Sequence, residues 1–376
     1  MEKAFRSFTF IGEIVFPKEA SKTIKSEKNA DWQGKRVSMG IKNGTNTVYV
    51  EFSGNLSKII KTMGKKNDDG TTPKLEVPYA SRNDKDVLDR VADFKKFRAD
   101  FGDELKLTTI TDWDFANFIE DNAPTIKGKR VVVGGSIEIQ KYNGKTYTKY
   151  VPNYISLATD EDLDKTEAVF GIYFTADSIN KDIFKETGKV KISGFVDVYN
   201  KDAKNKNIYV PYDFTLDFSK VMAIINGNDT DENEVKKLKA RMDWMAKQFS
   251  NYSEDKTSMK VKKDKVYYCD WKCRIVRGSE EKEITMSDLS SNQREMIELG
   301  IKTFDEIKKE MRGSMQGDRI EEIRLIAPNG KNVDGAVDAE LSIDDLFEKP
   351  EVKEKETKKV ETKVDTTDVD DLFAGL

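Results

Sequence analysis

The residue types that carry most enzyme chemistry are scarce in this chain. Its 376 residues include no His and two Cys, which excludes Ser–His–Asp and Cys–His catalysis, His-ligated zinc and a Cys₄ metal site. Cys269 and Cys273 lie four positions apart on a predicted strand, and this spacing favours a buried pair of free thiols over a metal site. No Walker or Rossmann glycine loop occurs, and the many Asp/Glu pairs single out no carboxylate cluster for a metal-dependent nuclease. We therefore expect no enzymatic activity and no cofactor.

Aromatic and basic residues instead recur together on the polar face of a predicted hairpin. Asn143-Gly144 is typical of a two-residue turn between antiparallel strands. Because side chains alternate along a strand, one face of this hairpin is apolar, with Ile137, Ile139 and Tyr150. The opposite face carries Glu138, Gln140, Tyr142, Lys145, Tyr147 and Lys149.

A second hairpin, predicted around Asn43-Gly44, has the same character. With that pair as the turn, Lys42 would lie opposite Thr45. The predicted core face holds Val37, Met39, Ile41, Val48, Val50 and Phe52, and the outer face holds Arg36, Ser38, Lys42, Thr47, Tyr49 and Glu51.

Rings and cations on an open sheet suit single-stranded nucleic acid, because bases stack on rings and cations neutralise phosphates. The alternative is that each Tyr makes cross-strand contacts or packs under a neighbouring helix. The predicted binding residues are Arg36, Lys42, Tyr49, Lys129, Arg130, Tyr142, Lys145, Tyr147 and Lys149.

The acidic end of the chain contains a repeated element. Residues 337–376 carry 13 Asp/Glu and six Lys, a net charge of −7, which leaves +3 for the rest of a chain whose net charge is −4. Within this segment, Ile343–Phe347 (IDDLF) recurs as Val369–Phe373 (VDDLF). Acidic residues followed by Leu-Phe are typical of a short peptide that docks in an apolar pocket with a basic rim. The predicted partner-binding residues are Asp344, Asp345, Leu346, Phe347, Asp370, Asp371, Leu372 and Phe373.

The last nine residues, DVDDLFAGL, resemble the acidic tips of bacterial and bacteriophage single-stranded-DNA-binding proteins. The resemblance implies an OB-fold body that binds the DNA strand and a tail that recruits replication and repair enzymes. This chain is longer than the bacterial members, and over its body the resemblance is limited to hairpins with aromatic and basic residues. It implies a protein of phage or mobile-element replication, and a Lys- and Asn-rich composition fits a phage of a low-GC host.

The elements that must position these residues are mostly predicted strands. Strands are predicted at 5–16, 168–175, 189–199, 208–216, 265–277 and 319–327, in addition to the two hairpins. Helices are predicted at 84–101, 112–121, 160–169, 231–249, 287–299 and 303–312. The fold class is therefore β-rich α+β, with one or two OB-like barrels, an additional α+β unit and a disordered acidic tail.

We divide the chain into a β-rich OB-like domain at 1–125, a second at 126–230, an α+β domain at 231–328 and a disordered tail at 329–376. Gly12-x-Ile14, Gly135-x-Ile137 and Gly194-x-Val196, each in an early strand of a unit, form a faint internal repeat.

The sequence thus favours a non-enzymatic, sequence-independent single-stranded DNA-binding protein. Its expected partners are single-stranded DNA and, through the tail, replication or recombination proteins. With no membrane-length apolar run, we expect a cytoplasmic protein, in the host cytoplasm if phage-encoded. Two alternatives stay open, a protein–protein adaptor and a structural or scaffold protein, each docking through the DDLF peptides.

Overall fold

The computed structural model describes residues 6–25, 32–102, 104–142, 145–200, 207–226, 231–252, 258–281, 286, 289–311, 316–330 and 335–347. The first half of the chain forms ten strands and three short helices. They are β1 (Ser7–Val15), β2 (Ser21–Lys25), β3 (Gln33–Asn43), β4 (Asn46–Asn55), β5 (Ile59–Met63), β6 (Lys74–Pro78), α1 (Lys85–Arg90), β7 (Phe97–Asp100), β8 (Lys106–Thr109), α2 (Asp112–Asp121), α3 (Ala123–Ile126), β9 (Arg130–Tyr142) and β10 (Lys145–Leu157).

The second half has a similar alternation of long strands and short helices. Its elements are β11 (Lys165–Phe174), β12 (Ile179–Asn180), α4 (Phe184–Thr187), β13 (Lys189–Tyr199), β14 (Asn207–Asp217), α5 (Ser219–Ile225), α6 (Glu232–Lys247), β15 (Asn251–Tyr252), β16 (Ser258–Met259), β17 (Tyr267–Glu281), α7 (Ser291–Glu298), α8 (Phe304–Met311), β18 (Gln316–Pro328), β19 (Val337–Asp338) and α9 (Ile343–Phe347). Among the described residues, no helix is long and apolar enough to cross a membrane.

Five long strands of the first half surround one core, here called the first barrel. Strand β1 pairs antiparallel with β3 and β9, β3 pairs with β4, and β9 pairs with β10. The two outer strands, β4 and β10, therefore run in the same direction and lie side by side. An ion pair joins them, with 3.0 Å between Lys149 Nζ and Glu51 Oε1. The order around the barrel is β1-β3-β4-β10-β9.

The second half forms a closed barrel with the same strand order, here called the second barrel. Strand β11 pairs with β13 and β17, β13 with β14, and β17 with β18. A parallel pairing of β14 with β18, where Thr215 lies opposite Arg324, closes the ring. In each barrel the strands are thus arranged as first, second, third, fifth and fourth of the set, with helices inserted between the third and the fourth.

Aromatic side chains fill the interior of the first barrel. The rings of Phe8 and Phe10 both contact Tyr150, at centroid distances of 5.5 and 5.0 Å. Helix α2 packs below them, with the Phe115 ring 5.1 Å from Phe52. This approach requires a glycine at position 54, because a Cβ there would lie 2.2 Å from the α2 backbone.

In the second barrel, the segment after α6 supplies the corresponding cover. Phe249, which follows α6, stacks on Trp271 with 5.1 Å between centroids and 11° between planes. Cys269 and Cys273 lie beside this stack as buried free thiols, as predicted, and burial raises the pKa of both well above the usual range of a thiol. No group of three metal-ligating side chains occurs in the part of the chain that the structure describes.

The two barrels are continuous with each other. Strand β1 pairs along one side with β9 and along the other with β11, where Ser7 lies opposite Val169. Strand β17 also packs against β4, and Asn46 Nδ2 donates to the Ile275 carbonyl at 2.9 Å. A single buried cluster extends from Phe8 to Ala336. The position of the second barrel against the first is therefore fixed by backbone pairing as well as by side chains.

Several predicted elements differ from the structure. The helix expected at 84–101 ends at Arg90, since Val91 bridges to Gly64 and Phe97–Asp100 pairs with β10. The helix expected at 160–169 is absent, because Lys165–Phe174 is a strand between β1 and β17.

The tail, expected to be disordered from residue 329, includes β19 and α9 at 337–347. These two elements are ordered because β19 pairs with β17 and α9 packs against the second barrel.

The strand pairing also bears on the proposed division of the chain. Strands β9 and β10 lie beyond the boundary placed at residue 125, yet both complete the first barrel. Likewise β17 and β18, assigned to an α+β unit at 231–328, complete the second barrel. The structure therefore shows two five-stranded barrels built from residues 7–157 and 165–328.

Candidate nucleic-acid interface

The outer face of β3 and β4 presents the side chains that the sequence analysis placed there. Val37, Met39, Ile41, Val48, Val50 and Phe52 are all buried, which confirms the predicted core face. Arg36 and Lys42 are exposed on the opposite face, and Tyr49 is partly exposed.

The predicted register of this hairpin was wrong by two residues. Asn43 pairs with Asn46, so the turn is Gly44-Thr45, with Gly44 at φ +61°. A glycine with positive φ at the first turn position is typical of a type II′ hairpin. Because side chains alternate with a period of two, a shift of two positions leaves every side chain on its predicted face.

The ring of Tyr49 lies across the neighbouring strand. Its cross-strand partner is Gly40, and a Cβ at that position would be 3.2 Å from the Tyr49 ring and 2.7 Å from Val15 Cγ2. The glycine therefore provides a shallow site in which the ring lies against the backbone. The side chain remains partly exposed, and a base-stacking platform requires an accessible ring.

Strand β10 brings further predicted residues to the same surface. The register predicted for the β9–β10 hairpin is confirmed, since Tyr147 pairs with Gln140 and Lys149 with Glu138. Tyr147 and Lys149 are partly exposed on its outer side. Tyr142 and Lys145 pair at the end of this hairpin; their side chains are outside the described part of the structure.

Glu51 connects the two hairpins electrostatically. Its Oε1 lies 3.0 Å from Lys149 Nζ and 3.9 Å from Arg36 Nε. This one carboxylate therefore brings Arg36, Lys149 and the adjacent Tyr49 onto one continuous surface. We call Arg36, Lys42, Tyr49, Tyr147 and Lys149 the β3–β4–β10 face.

The two remaining predicted binding residues lie outside the β3–β4–β10 face: Lys129 directly precedes β9 and Arg130 begins it. Arg130 pairs with Glu13 of β1, and Glu13 pairs in turn with Lys42, so Arg130 is two strands away from Lys42. The Arg130 guanidinium binds the loop after β10: it is 2.7 Å from Asp164 Oδ1, and it also donates to the carbonyl oxygens of Thr159 and Asp162. Through these contacts, Arg130 holds the loop after β10 in place.

The sequence analysis missed a cation at this surface. Arg277 of β17 places its guanidinium 5.9 Å from the centre of the Tyr49 ring, and its backbone N–H donates to Asn46 Oδ1 at 2.7 Å. Alternation along β17 gave no signal for it, because Arg277 has the same parity as the buried residues Trp271, Cys273 and Ile275. The contact itself joins residues more than 200 positions apart, so no local pattern could reveal it.

The first DDLF element lies against the second barrel. Ser342 caps α9, because its hydroxyl oxygen accepts from the Asp345 backbone N–H at 3.3 Å and its own backbone N–H donates to Asp345 Oδ2 at 2.8 Å. Leu346 is buried with Tyr173, Val266 and Tyr268. The second element, with Asp370, Asp371, Leu372 and Phe373, lies outside the described residues.

Tyr173 and Tyr268, which bury Leu346, lie on β11 and β17. Phe195 and Tyr209, which pack against the same cluster, lie on β13 and β14, the strands that correspond in order to β3 and β4. The Phe347 ring is 5.5 Å from Phe195 of β13 and nearly perpendicular to it. Burial, together with the carboxylates of Asp197 and Asp345, raises the pKa of Tyr209 on β14. In the second barrel, α9 covers this face, whereas in the first barrel Arg36 and Lys42 leave it exposed.

Comparison with known families gives a match to the YorF family model over residues 43–285. This range covers well over half of the chain and includes strands of both barrels. The chain belongs to the YorF family.

Other comparisons of this YorF-family chain are weaker. Comparison with curated proteins gives no significant match. Two solved structures that it resembles are a deletion mutant and the wild type of the single-stranded DNA binding protein from Thermus aquaticus. The first has 7% identity and a TM-score of 0.27, covering 77% of this chain and 99% of that one. The second has the same identity and TM-score, with coverage of 73% and 87%. Values this low establish neither a shared site nor a shared function.

Proposed function

We propose that this protein binds single-stranded DNA, without sequence preference and without catalysis, through the β3–β4–β10 face of its first barrel. The observation that carries the proposal is the arrangement of that face. Two partly exposed tyrosine rings and three cations lie on the outside of adjacent strands. Rings that stack bases and cations that neutralise phosphates are the two components that sequence-independent strand binding needs.

The topology supports the same proposal. A five-stranded barrel with strand order first, second, third, fifth and fourth, and a helix between the third and fourth strands, has the connectivity of an OB fold. In OB folds, oligonucleotides bind over the second and third strands and the loop between the fourth and fifth. In the first barrel these are β3, β4 and the β9–β10 hairpin. We infer that both barrels are OB folds.

We further propose a role in phage or mobile-element DNA replication or recombination. The support is the resemblance of residues 368–376 to the acidic tips of single-stranded-DNA-binding proteins. In this proposal the terminal Val369–Phe373 element recruits a partner enzyme. The adaptor alternative is favoured by one observation, the docking of the first DDLF element in an apolar site, and it predicts no nucleic-acid affinity.

Fluorescence anisotropy with a labelled oligo-dT tests the binding proposal. About three phosphate contacts would give a salt slope near −2, so affinity should fall about 20-fold between 50 and 200 mM salt. The double variant Tyr147→Ala, Lys149→Ala should bind at least about tenfold more weakly, because a stacked base contributes about 1–3 kcal/mol.

Two controls complete this experiment. Lys61→Ala removes one positive charge from the exposed Lys61–Glu76 pair of the β5–β6 hairpin and should leave binding nearly unchanged. A chain ending at Phe347 keeps α9 in place and tests the tail beyond it. Equal affinity of the wild type and the Tyr147/Lys149 variant would remove this face from the proposal. No binding at all, including by the shortened chain, would favour the adaptor.

A further inference from the structure

A groove on the second barrel holds the first DDLF element, and its composition shows how such a peptide is recognised. Tyr173, Val266 and Tyr268 are fully buried and form its floor. Phe195 and Tyr209, both partly exposed, form the sides, and the Tyr209 and Tyr173 rings meet edge-on at 4.9 Å. We call these five residues the aromatic groove.

The resident peptide uses its residues in distinct ways. Leu346 inserts into the groove and is 3% exposed, while the ring of Phe347 contacts Phe195 from outside and remains 66% exposed. Asp344 is exposed at the start of the helix, and Asp345 accepts the capping hydrogen bonds from Ser342. Recognition therefore requires an apolar residue in the position of Leu346, an aromatic residue after it and a capped acidic turn before it.

The C-terminal element satisfies each of these requirements. Val369-Asp370-Asp371-Leu372-Phe373 differs from the resident peptide only by Val in place of Ile. Asp368 stands where Ser342 caps the resident helix, and Asp is also a preferred N-cap residue. A peptide of this sequence can form the same capped turn and present the same Leu-Phe pair.

The chain is also long enough to return to its own groove. Twenty-one residues, 348–368, separate the two elements, and a chain of that length can span up to about 70 Å at roughly 3.4 Å per residue. A tethered peptide experiences an effective concentration in the millimolar range, well above that of a second molecule at micromolar concentration. The same molecule's terminal element is therefore favoured over that of another copy.

We propose that the aromatic groove is a DDLF-binding site with two alternative ligands in the same chain, the resident Ile343–Phe347 and the terminal Val369–Phe373. When one element occupies the groove, the other is available to partner proteins. The first element therefore fills a site that the second would otherwise occupy, and thereby keeps the terminal peptide available. This inference does not depend on DNA binding by the first barrel.

Binding of a labelled peptide of residues 366–376 to full-length variants tests this proposal. Leu346→Ala removes the residue that fills the groove, and Leu372→Ala removes its counterpart in the terminal element. The Leu346→Ala, Leu372→Ala double variant should bind the peptide most tightly. Leu346→Ala alone should bind it about tenfold more weakly, because its own terminal element competes at millimolar effective concentration. The wild type and Leu372→Ala should bind it most weakly, since the resident element remains in place.

Three controls make the result specific. The added change Phe195→Ala should abolish peptide binding, as should replacing both Leu372 and Phe373 by Ala in the peptide. Thermal unfolding by circular dichroism must show that each variant is folded. If Leu346→Ala does not fold, Phe347→Ala serves in its place, because it removes the Phe347–Phe195 contact that helps to hold the resident element and changes a mostly exposed ring.

Three results would overturn the proposal. Absence of peptide binding to a folded double variant would show that the groove is not a DDLF site. Equal binding by Leu346→Ala and the double variant would show that the terminal element does not compete from the same chain. Concentration-dependent association of Leu346→Ala that disappears with Leu372→Ala would identify a second copy as the occupant.

Discussion

Glu51 is the acidic residue at the centre of the proposed DNA-binding face, and its neutralisation gives a demanding test. Its carboxylate lies between Lys149 and Arg36, at 3.0 and 3.9 Å. A bound phosphate would be drawn to the same two cations and repelled by this carboxylate. We therefore expect Glu51→Gln to bind single-stranded DNA more tightly than the wild type.

The size of the gain follows from Coulomb's law. Two unit charges about 6 Å apart interact by about 0.7 kcal/mol in water and about twice that at half the dielectric constant. Affinity should therefore rise about three- to tenfold at 50 mM salt, since about 1.4 kcal/mol is tenfold. The gain should nearly vanish at about 0.5 M salt, where screening acts over only a few ångströms.

Anisotropy titrations with oligo-dT at both salt concentrations measure this effect. Glu76→Gln is the matched control, because it makes the same charge change in the exposed Lys61–Glu76 pair, away from the face. It should change affinity less than twofold. Partly exposed ion pairs contribute about 0–1 kcal/mol, so thermal unfolding of the Glu51 variant should stay close to that of the wild type. Unchanged or weaker binding by a folded Glu51→Gln at low salt would refute the assignment of this face.

Two further predictions concern Arg277 and Asp114. Arg277→Ala should weaken oligo-dT binding. The slope of log affinity against log salt concentration should become less negative by about 0.7, because one phosphate contact is lost. An unchanged slope in the same titrations would place Arg277 outside the interface. The pKa of Asp114 is lowered: burial alone would raise it, but hydrogen bonds from Arg82, Tyr79 and Thr111 outweigh burial. Because the pKa is lower in the folded state, the ionised carboxylate stabilises the fold at every pH above the unfolded-state pKa, which is about 3.9. This stabilisation is lost as the pH falls through the folded-state pKa. Asp114→Asn should therefore reduce the free energy of unfolding by about 1–3 kcal/mol at pH 7, and by progressively less below about pH 4. Urea unfolding at a series of pH values measures this difference. A difference between variant and wild type that is constant with pH would exclude a contribution from the carboxylate charge.

The faces of the two hairpins could be predicted from the sequence because they depend only on alternation. Val37, Met39 and Ile41 are buried and Arg36 and Lys42 exposed, as a period of two requires. The exact register needed the turn type, which local sequence left open, since both Asn43-Gly44 and Gly44-Thr45 can form a two-residue hairpin loop. The error of two residues changed the cross-strand partners and left the candidate site intact.

The arrangement of strands into barrels depends on contacts between distant segments. Phe97–Asp100 has the apolar spacing of a helix continuation, but it is a strand because β10, more than 50 residues later, supplies a parallel partner. The position of Arg277 beside Tyr49 has the same origin. Periodicity reports which face of an element is buried, whereas the identity of the neighbour depends on the whole chain.

The two barrels share a strand order but differ in what their corresponding faces can bind. In the first, exposed Arg36 and Lys42 accompany the Tyr49 ring. In the second, Phe195 lies near Asp197, and α9 adds Asp344 and Asp345. A phosphate backbone would meet negative charge there, since its affinity depends on cations that replace counterions. The second face therefore suits an apolar peptide whose acidic turn is capped internally by Ser342, and we propose that DNA binds to the first barrel alone.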